Sequence, residues 1–232
     1  MYKQSAPETS QALFASIAPH YDRANCTFSF GLHQYWNQQL IHSLGSAPSL
    51  LDLCAGTGEI AFGYLKKNPQ AEAILLDFCP EMLAVAQAKG VSLRERFEIV
   101  QGDAQAIPLS MNSVDAVSIA YGIRNVKDPE KCFQEVFRVL KPGGLFGILE
   151  LTRPTAPLPK LGHRCYTRFI LPFLGKLAAK NREAYKYLAS SVEMFSTPSI
   201  LMDSLHSLNF QNIQSKPLSF GAATLLTAIK TR

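Results

Sequence analysis

The 232-residue sequence lacks any C-x-x-C pair, and its five cysteines (Cys26, Cys54, Cys79, Cys132, Cys165) are odd in number and widely spaced. That argues against a disulfide framework and a zinc site, so the cysteines read as reduced thiols in a cytoplasmic protein and no metal is expected. No stretch of 18 consecutive apolar residues occurs, and the opening MYKQSAPETSQ has no apolar export core. Neither secretion nor a membrane span is expected, and any membrane contact must be peripheral. Strong net charge is also missing: +5 is mild beside the concentrated basic charge of sequence-independent nucleic-acid binders. What basic charge there is gathers at residues 153–186, where eight Lys/Arg face the single acid Glu183 and leave −2 on the rest of the chain.

With 47% hydrophobic residues, a chain of this length fits one domain with a sizeable core. Residues 49–151 alternate short apolar strands with helical patterns, the signature of βαβ units and a largely parallel sheet. Strands are expected at 49–55, 72–77, 97–101, 114–120 and 144–151, with helices near 58–68, 80–89 and 129–140. The last of these carries Phe133, Val136, Phe137 and Leu140 at helical spacing and is expected to end at the Pro-Gly-Gly of 142–144. Two further helices, near 8–18 and 32–44, precede the core and flank Pro19 and a polar-aromatic loop, HYDRANCTFSFG. A helix near 199–208 and strands near 210–218 and 222–230 follow, the strands as a hairpin closing the sheet. The expected layout is a single domain over 1–232: a helical cover (1–47), a cofactor-binding core (48–151), a basic amphipathic insertion (152–196) and the closing helix and hairpin (197–232).

The stretch LLDLCAGTGEIAF (50–62) places a strand, a glycine-rich turn and a helix start in that order. Gly56 and Gly58 let backbone approach a ligand, Thr57 lies between them, and the helix N-terminus offers unpaired N–H groups. Asp77 ends the next strand 21 residues after Gly56, where a carboxylate can accept both hydroxyls of a ribose. Two features favour S-adenosylmethionine over a nicotinamide dinucleotide. Ala61 stands where the third glycine of G-x-G-x-x-G should be, and Asp52, inside the first strand, would repel a pyrophosphate but suits a cationic aminoacyl group. Asp103 follows the third strand, where it can accept from an adenine amino group while Ala104 leaves room for the ring. The plainer alternative makes the three acids helix caps and solvated strand ends.

These residues carry a resemblance. IAPHYDRANCTFSFGLHQYW (17–36), LDLCAGTGEIA (51–61), LLDFCPEML (75–83), SIAYGIRNVKD (118–128), RVLKPGG (138–144), ILELTRP (148–154) and YKYLASSVEMF (185–195) resemble the menaquinone/ubiquinone biosynthesis C-methyltransferases. These belong to the class I S-adenosylmethionine-dependent methyltransferases. The resemblance implies a Rossmann-like, seven-stranded and mostly parallel sheet with helices on both faces. It also implies a polyprenyl quinol substrate and cofactor contacts at Thr57, Asp77, Asp103 and Ala104. The chain departs from the family in having Gln34, Tyr35 and Asn37 where basic residues commonly surround Trp36, Ala120 where Ser is frequent, and LLTAI at 225–229.

The candidates for chemistry follow. Arg124 and Asn125 lie after the fourth strand, whose carboxyl end should face the same crevice as the glycine turn. Arginine stays protonated and is no base, so its planar cation is assigned to a developing quinolate oxygen and Asn125 to orienting that oxygen; the alternative is a salt bridge on the rim. Tyr21 and Asp22 are expected in a loop over the cleft, with Tyr21 against the cofactor's carboxylate or sulfonium and Asp22 orienting it; a helix-capping turn after Pro19 is the equal alternative. His33 is a candidate base, though a structural hydrogen bond would also explain it. Met82 and Leu83 lie on an apolar helical face and are assigned to the core. The expected reaction is C-methylation of demethylmenaquinol to menaquinol. The benzoquinol intermediate of ubiquinone is the close alternative, and an RNA substrate is disfavoured because no RNA-binding motif is present.

Overall fold

The computed structural model describes residues 7–154 and 198–231. Seven strands form one sheet: β1 (Ser49–Leu53), β2 (Glu72–Asp77), β3 (Phe97–Gln101), β4 (Val114–Ala120), β5 (Leu140–Leu151), β6 (Phe210–Leu218) and β7 (Ala223–Lys230), in the order β3-β2-β1-β4-β5-β7-β6. The first five pair in parallel, and β7 runs antiparallel to both β5 and β6. This is the mostly parallel sheet with an antiparallel closing hairpin that the sequence leads one to expect.

Alternation along β1 shows how both faces are covered. Leu51 and Leu53 join a core with Val117, Phe133, Phe146 and Phe210, whereas Leu50 joins Leu40, Tyr64, Leu75 and Leu149 on the other side. The first face receives α6 (Pro129–Val139) and α7 (Pro198–Ser207); the second receives α3 (Leu32–Ser43) and α4 (Glu59–Lys67). Strands buried on both faces need near-continuous apolar runs, which is why SLLDL and VDAVSIA admit so few polar residues. Helix α6 starts as its sequence dictates: Asp128 accepts a hydrogen bond from the Lys131 N–H, and Pro129 occupies the first helical turn. Met82 and Leu83, on α5 (Pro80–Lys89), are buried as core residues.

Two boundaries differ from expectation. Helix α6 ends at Val139, because Leu140 is already extended and pairs with Val114; the register then jumps so that Ala116 faces Leu145. The Pro-Gly-Gly therefore shapes an irregularity within β5 instead of a stop before it. The stretch read as a polar-aromatic loop contains a second helix, α2 (Tyr21–Ser29), entered through a 3-10 turn at Ala18–His20 and closed by Phe30 and Gly31 in left-handed conformations. Its polar residues suit a half-exposed helix, and Gly31 supplies the reversal into α3.

Helix α1 (Pro7–Ile17) lies beside α5: Phe14 meets Phe78 edge to face at 6.4 Å, and Gln11 Nε2 donates to the Phe78 carbonyl at 3.2 Å. The N-terminal helices thus cover the carboxyl end of β2. The other end of the cover is tied down by Trp36, whose indole N–H donates to Ser219 Oγ at 2.8 Å in the β6–β7 connection. Among the described residues no helix is long and apolar enough to cross a membrane. The expected basic insertion falls, beyond Pro154, outside the described residues.

Candidate active site

The crevice arises where the strand order reverses. From β1 the chain crosses to β2 and β3 on one side, while β4 and β5 lie on the other, so the connections leaving β1 and β4 part at their carboxyl ends. Leaving β1, the backbone turns sharply at Cys54 (φ 53°), Gly56 (φ 53°) and Gly58 (φ 80°). A Cβ built on Gly56 would meet nothing within 4 Å, so the turn presents bare backbone to open space. A methyl group on Gly58 would come within 2.5 Å of the Phe62 ring, so this glycine is needed for both its conformation and the close packing of α4.

Asp77 joins the turn to β2. Its Oδ2 accepts the Gly56 N–H at 2.8 Å and its Oδ1 the Cys79 N–H at 2.9 Å. A carboxylate has about four acceptor positions, and those not taken by backbone N–H groups remain for a ligand hydroxyl. Burial pushes its carboxyl up, while the backbone N–H groups pull it down. Asp103, after β3, is exposed and accepts from the backbone and side-chain N–H of Gln105 at 2.9 Å, while Ala104 beside it is buried. This geometry fits an adenosine ligand lying from β1 across β2 to β3.

Asp52 is 1% exposed, with Oδ1 accepting from Ser118 Oγ at 2.7 Å and Oδ2 from the Ala61 N–H at 3.2 Å. Its carboxylate holds the first turn of α4 onto β1 and β4, and burial raises its pKa to about 7. Both oxygens thus accept hydrogen bonds inside the fold and tie Asp52 to the packing of the turn. Thr57 is likewise buried, its hydroxyl donating to Asp22 Oδ1 while Lys89 Nζ reaches Asp22 Oδ2 at 2.6 Å and Thr57 Oγ1 at 3.3 Å. Helix α2 is thus clasped to the glycine turn.

Tyr21 lies on that helix, not on a loop. Burial pushes its hydroxyl up, Arg124 and a hydrogen bond with the Asn25 side chain pull it down, and Asp77 and Glu59 push it up further. Tyr21 and Arg124 are thus close enough to interact electrostatically. Leaving β4, Tyr121 adopts a left-handed conformation (φ 56°) that few bulky residues take, fixed by its N–H to the Leu149 carbonyl at 2.7 Å. A 3-10 turn at Ile123–Asn125 follows, in which the Asn125 N–H donates to the Gly122 carbonyl at 2.9 Å. Gly122 lets this turn pass the glycine turn: a Cβ there would lie 2.4 Å from Cys54 Cβ.

Arg124 is buried, and its guanidinium pairs through Nη1 with Glu150 Oε1 at the end of β5. The rim salt bridge considered from sequence is replaced by an interior one. Glu150 was missed in the sequence, although a single acid in the apolar run GLFGILEL is itself the signal of a buried, partnered carboxylate. His33 is also buried, and its Nδ1 lies 2.7 Å from Ser29 Oγ while Nε2 faces Glu59 at 3.9 Å. It stands apart from the Tyr21–Arg124 pair, reaching the crevice through Glu59, Asn37 and Tyr121. Among the described residues no group of three or more His, Cys, Asp or Glu converges as a metal site.

Comparison with known proteins places the fold and the family. The chain is 42% identical over 236 residues to a demethylmenaquinone methyltransferase of Protochlamydia amoebophila, spanning 99% of this chain and 98% of that one. It is 39% identical to the protein of the same name from Chlamydia caviae over 93% of each. Among solved structures, an S-adenosylmethionine-dependent methyltransferase of Aquifex aeolicus superimposes with a TM-score of 0.60 at 18% identity, covering 84% of this chain and 89% of that one. Phosphoethanolamine N-methyltransferase 2 of Haemonchus contortus, in complex with S-adenosylmethionine, superimposes at 0.62 with 17% identity over 84% of this chain and 52% of that one. The family model of the ubiE/COQ5 methyltransferases matches residues 3–230, and the chain belongs to that family.

Proposed function

We propose that this protein is an S-adenosylmethionine-dependent methyltransferase that methylates a ring carbon of a lipid-linked quinol, converting demethylmenaquinol to menaquinol. The observation that carries this reading is the meeting of two sets of groups at one reversal of the sheet. The Gly56–Asp77 cradle suits the cofactor, and Tyr21 with the Glu150-held Arg124 suits an oxygen that gains negative charge. The relatives named demethylmenaquinone methyltransferase, at 42% and 39% identity, supply the substrate class.

Bound S-adenosylmethionine supplies a methyl group already activated by its sulfonium. The chain has to align, exclude water and make the acceptor carbon electron-rich. Asp77 offers its remaining acceptor capacity to the ribose, with Asp103 and Ala104 on the adenine side. Tyr21 and Arg124 hold a quinol oxygen, and Asn125 orients it. As that oxygen gives its proton to a water that Asn125 orients, electron density rises at the adjacent ring carbon; the oxidised quinone lacks this donation. The carbon bonds the methyl as the sulfur–methyl bond breaks and then gives its own hydrogen to the same water as a proton. Helices α1 and α2 cover the crevice and keep bulk water from it. A polyprenyl substrate also calls for contact with a lipid surface. The basic, apolar-rich stretch 158–180 has the composition for that contact, although it lies outside the described residues. Sedimentation with anionic and neutral vesicles at low and high salt tests it, and equal binding to both would count against it.

The experiment that tests the reaction itself offers labelled S-adenosylmethionine with a short-chain naphthoquinol and a benzoquinol, each reduced and oxidised. Label should enter the reduced naphthoquinol. Label entering only the benzoquinol would reassign the substrate, and equal labelling of oxidised acceptors would overturn the quinol chemistry.

A further inference from the structure

Asp52 is 1% exposed with both oxygens accepting hydrogen bonds inside the fold, whereas Glu59 is a more exposed carboxylate next to the glycine turn. It is the first residue of α4, directly after Gly58. Its Oε2 accepts Asn37 Nδ2 at 3.2 Å and faces His33 Nε2 at 3.9 Å. Among the described residues Oε1 accepts no hydrogen bond, and the side chain is 32% exposed.

The groups behind it are fixed. Ser29 gives its single hydroxyl hydrogen to the Asn25 carbonyl at 2.7 Å, so the contact between His33 Nδ1 and Ser29 Oγ is a donation from the ring, and the neutral ring has no hydrogen on Nε2 to give Glu59. Asn37 Oδ1 receives the Tyr121 hydroxyl at 3.0 Å, which leaves Nδ2 for the carboxylate. Glu59 is therefore held by α3 and, through Asn37, by the end of β4.

Its charge is incompletely balanced. The titratable and charged groups that face it are Asp22 on α2, Lys89 on α5 and His33 on α3, with Tyr21 and Tyr121 nearby. Lys89 is committed to Asp22 and Thr57. Two carboxylates thus share one lysine, and burial and Asp22 push the Glu59 carboxyl above its ordinary range. A half-buried carboxylate in that position favours an incoming cation.

We infer that Glu59 anchors the α-ammonium of S-adenosylmethionine, with Asn37, itself engaged by Tyr121, as the positioning residue that holds it. This rests on the crevice being the cofactor site and adds the residue that recognises the amino-acid end. Calorimetry on wild type and Glu59→Gln with three probes tests it. S-adenosylhomocysteine has the ammonium but no sulfonium, S-adenosylmethionine has both, and 5′-methylthioadenosine has neither. Loss of one charge-assisted hydrogen bond should weaken the first two alike, by about 10- to 100-fold, and leave methylthioadenosine within about twofold. An equal loss for all three would reduce Glu59 to a structural role, and no loss would remove it. A loss confined to S-adenosylmethionine would transfer it to the sulfonium and overturn the assignment. Failure of wild type to bind S-adenosylhomocysteine would instead overturn the site itself. If Glu59→Gln does not fold, wild type carries the test: the affinity ratio of S-adenosylhomocysteine to methylthioadenosine should fall as pH is lowered and Glu59, whose carboxyl lies above its ordinary range, takes up its proton. A flat ratio would contradict the inference.

Discussion

Arg124 and Glu150 form a buried ion pair across the ends of the adjacent parallel strands β4 and β5, with side chains 5% and 2% exposed. Glu150 holds more than the guanidinium: Oε1 also accepts the Leu151 N–H at 2.8 Å, and Oε2 accepts the Arg124 N–H at 3.4 Å. One carboxylate thereby fixes both the backbone turn and the Arg124 side chain. Burial pushes the Glu150 carboxyl up and Arg124 pulls it down.

Removing the carboxylate should therefore affect folding and catalysis in separable ways. Glu150→Ala strands a buried cation and is expected to cost about 3–5 kcal/mol in denaturant unfolding. Glu150→Gln keeps the shape, so the fold should survive while single-turnover methyl transfer drops about 10-fold or more. Cofactor affinity should stay within about threefold. Arg124→Lys keeps charge but loses the planar fork, and should slow transfer about 10- to 1000-fold. Wild-type turnover in Arg124→Lys would remove the arginine from the chemistry.

The sequence makes the core of this fold legible because parallel strands buried on both faces must be apolar, and the glycine turn and Asp77 stand at spacings set by the backbone. It is less informative where long-range pairing decides. Helix α2 reads as a loop because its apolar stripe is weak, and what holds it is Asp22 reaching Thr57 and Lys89 from distant elements. For Asp52, sequence reveals the acid but not Ser118 and the Ala61 N–H, which bond it. Glu59 and Glu150 gain meaning only once Asn37 and Arg124 are seen beside them.

Asp77→Ala removes the acceptor of the proposed ribose contacts. Its charge-assisted hydrogen bonding should be lost, weakening cofactor binding by about 2–4 kcal/mol in calorimetry. Unchanged affinity would place the ribose elsewhere.

Asp52 should make stability depend on pH in a defined direction. Its folded pKa is raised from 3.8 to about 7, so the folded state binds more protons than the unfolded state between those values. Stability contributed at this site is therefore fully present at low pH and lost as pH rises through that window. Asp52→Asn preserves the shape without the titration. Urea unfolding of the two proteins should give similar stabilities near pH 4. The variant's advantage should then grow to pH 7, on the order of 4 kcal/mol at most. Parallel curves would mean that Asp52 is ionised without penalty.

Gly122→Ala should press a methyl group onto Cys54, whose Cβ would lie 2.4 Å away. We expect a loss of about 1–3 kcal/mol in stability and weaker cofactor binding, because the displaced turn is the cradle. Cys54 has φ 53°, a conformation glycine takes without strain. Adding Cys54→Gly should restore both properties, and no rescue would mean that the two turns do not press on each other.

The most direct measurement is the position of the transferred methyl group. Wild-type protein, labelled S-adenosylmethionine and short-chain demethylmenaquinol kept reduced under anaerobic conditions should yield a product whose label NMR and mass spectrometry place on the quinol ring carbon. Label on a quinol oxygen, or none with the reduced acceptor while the cofactor binds, would contradict quinol C-methylation at this site.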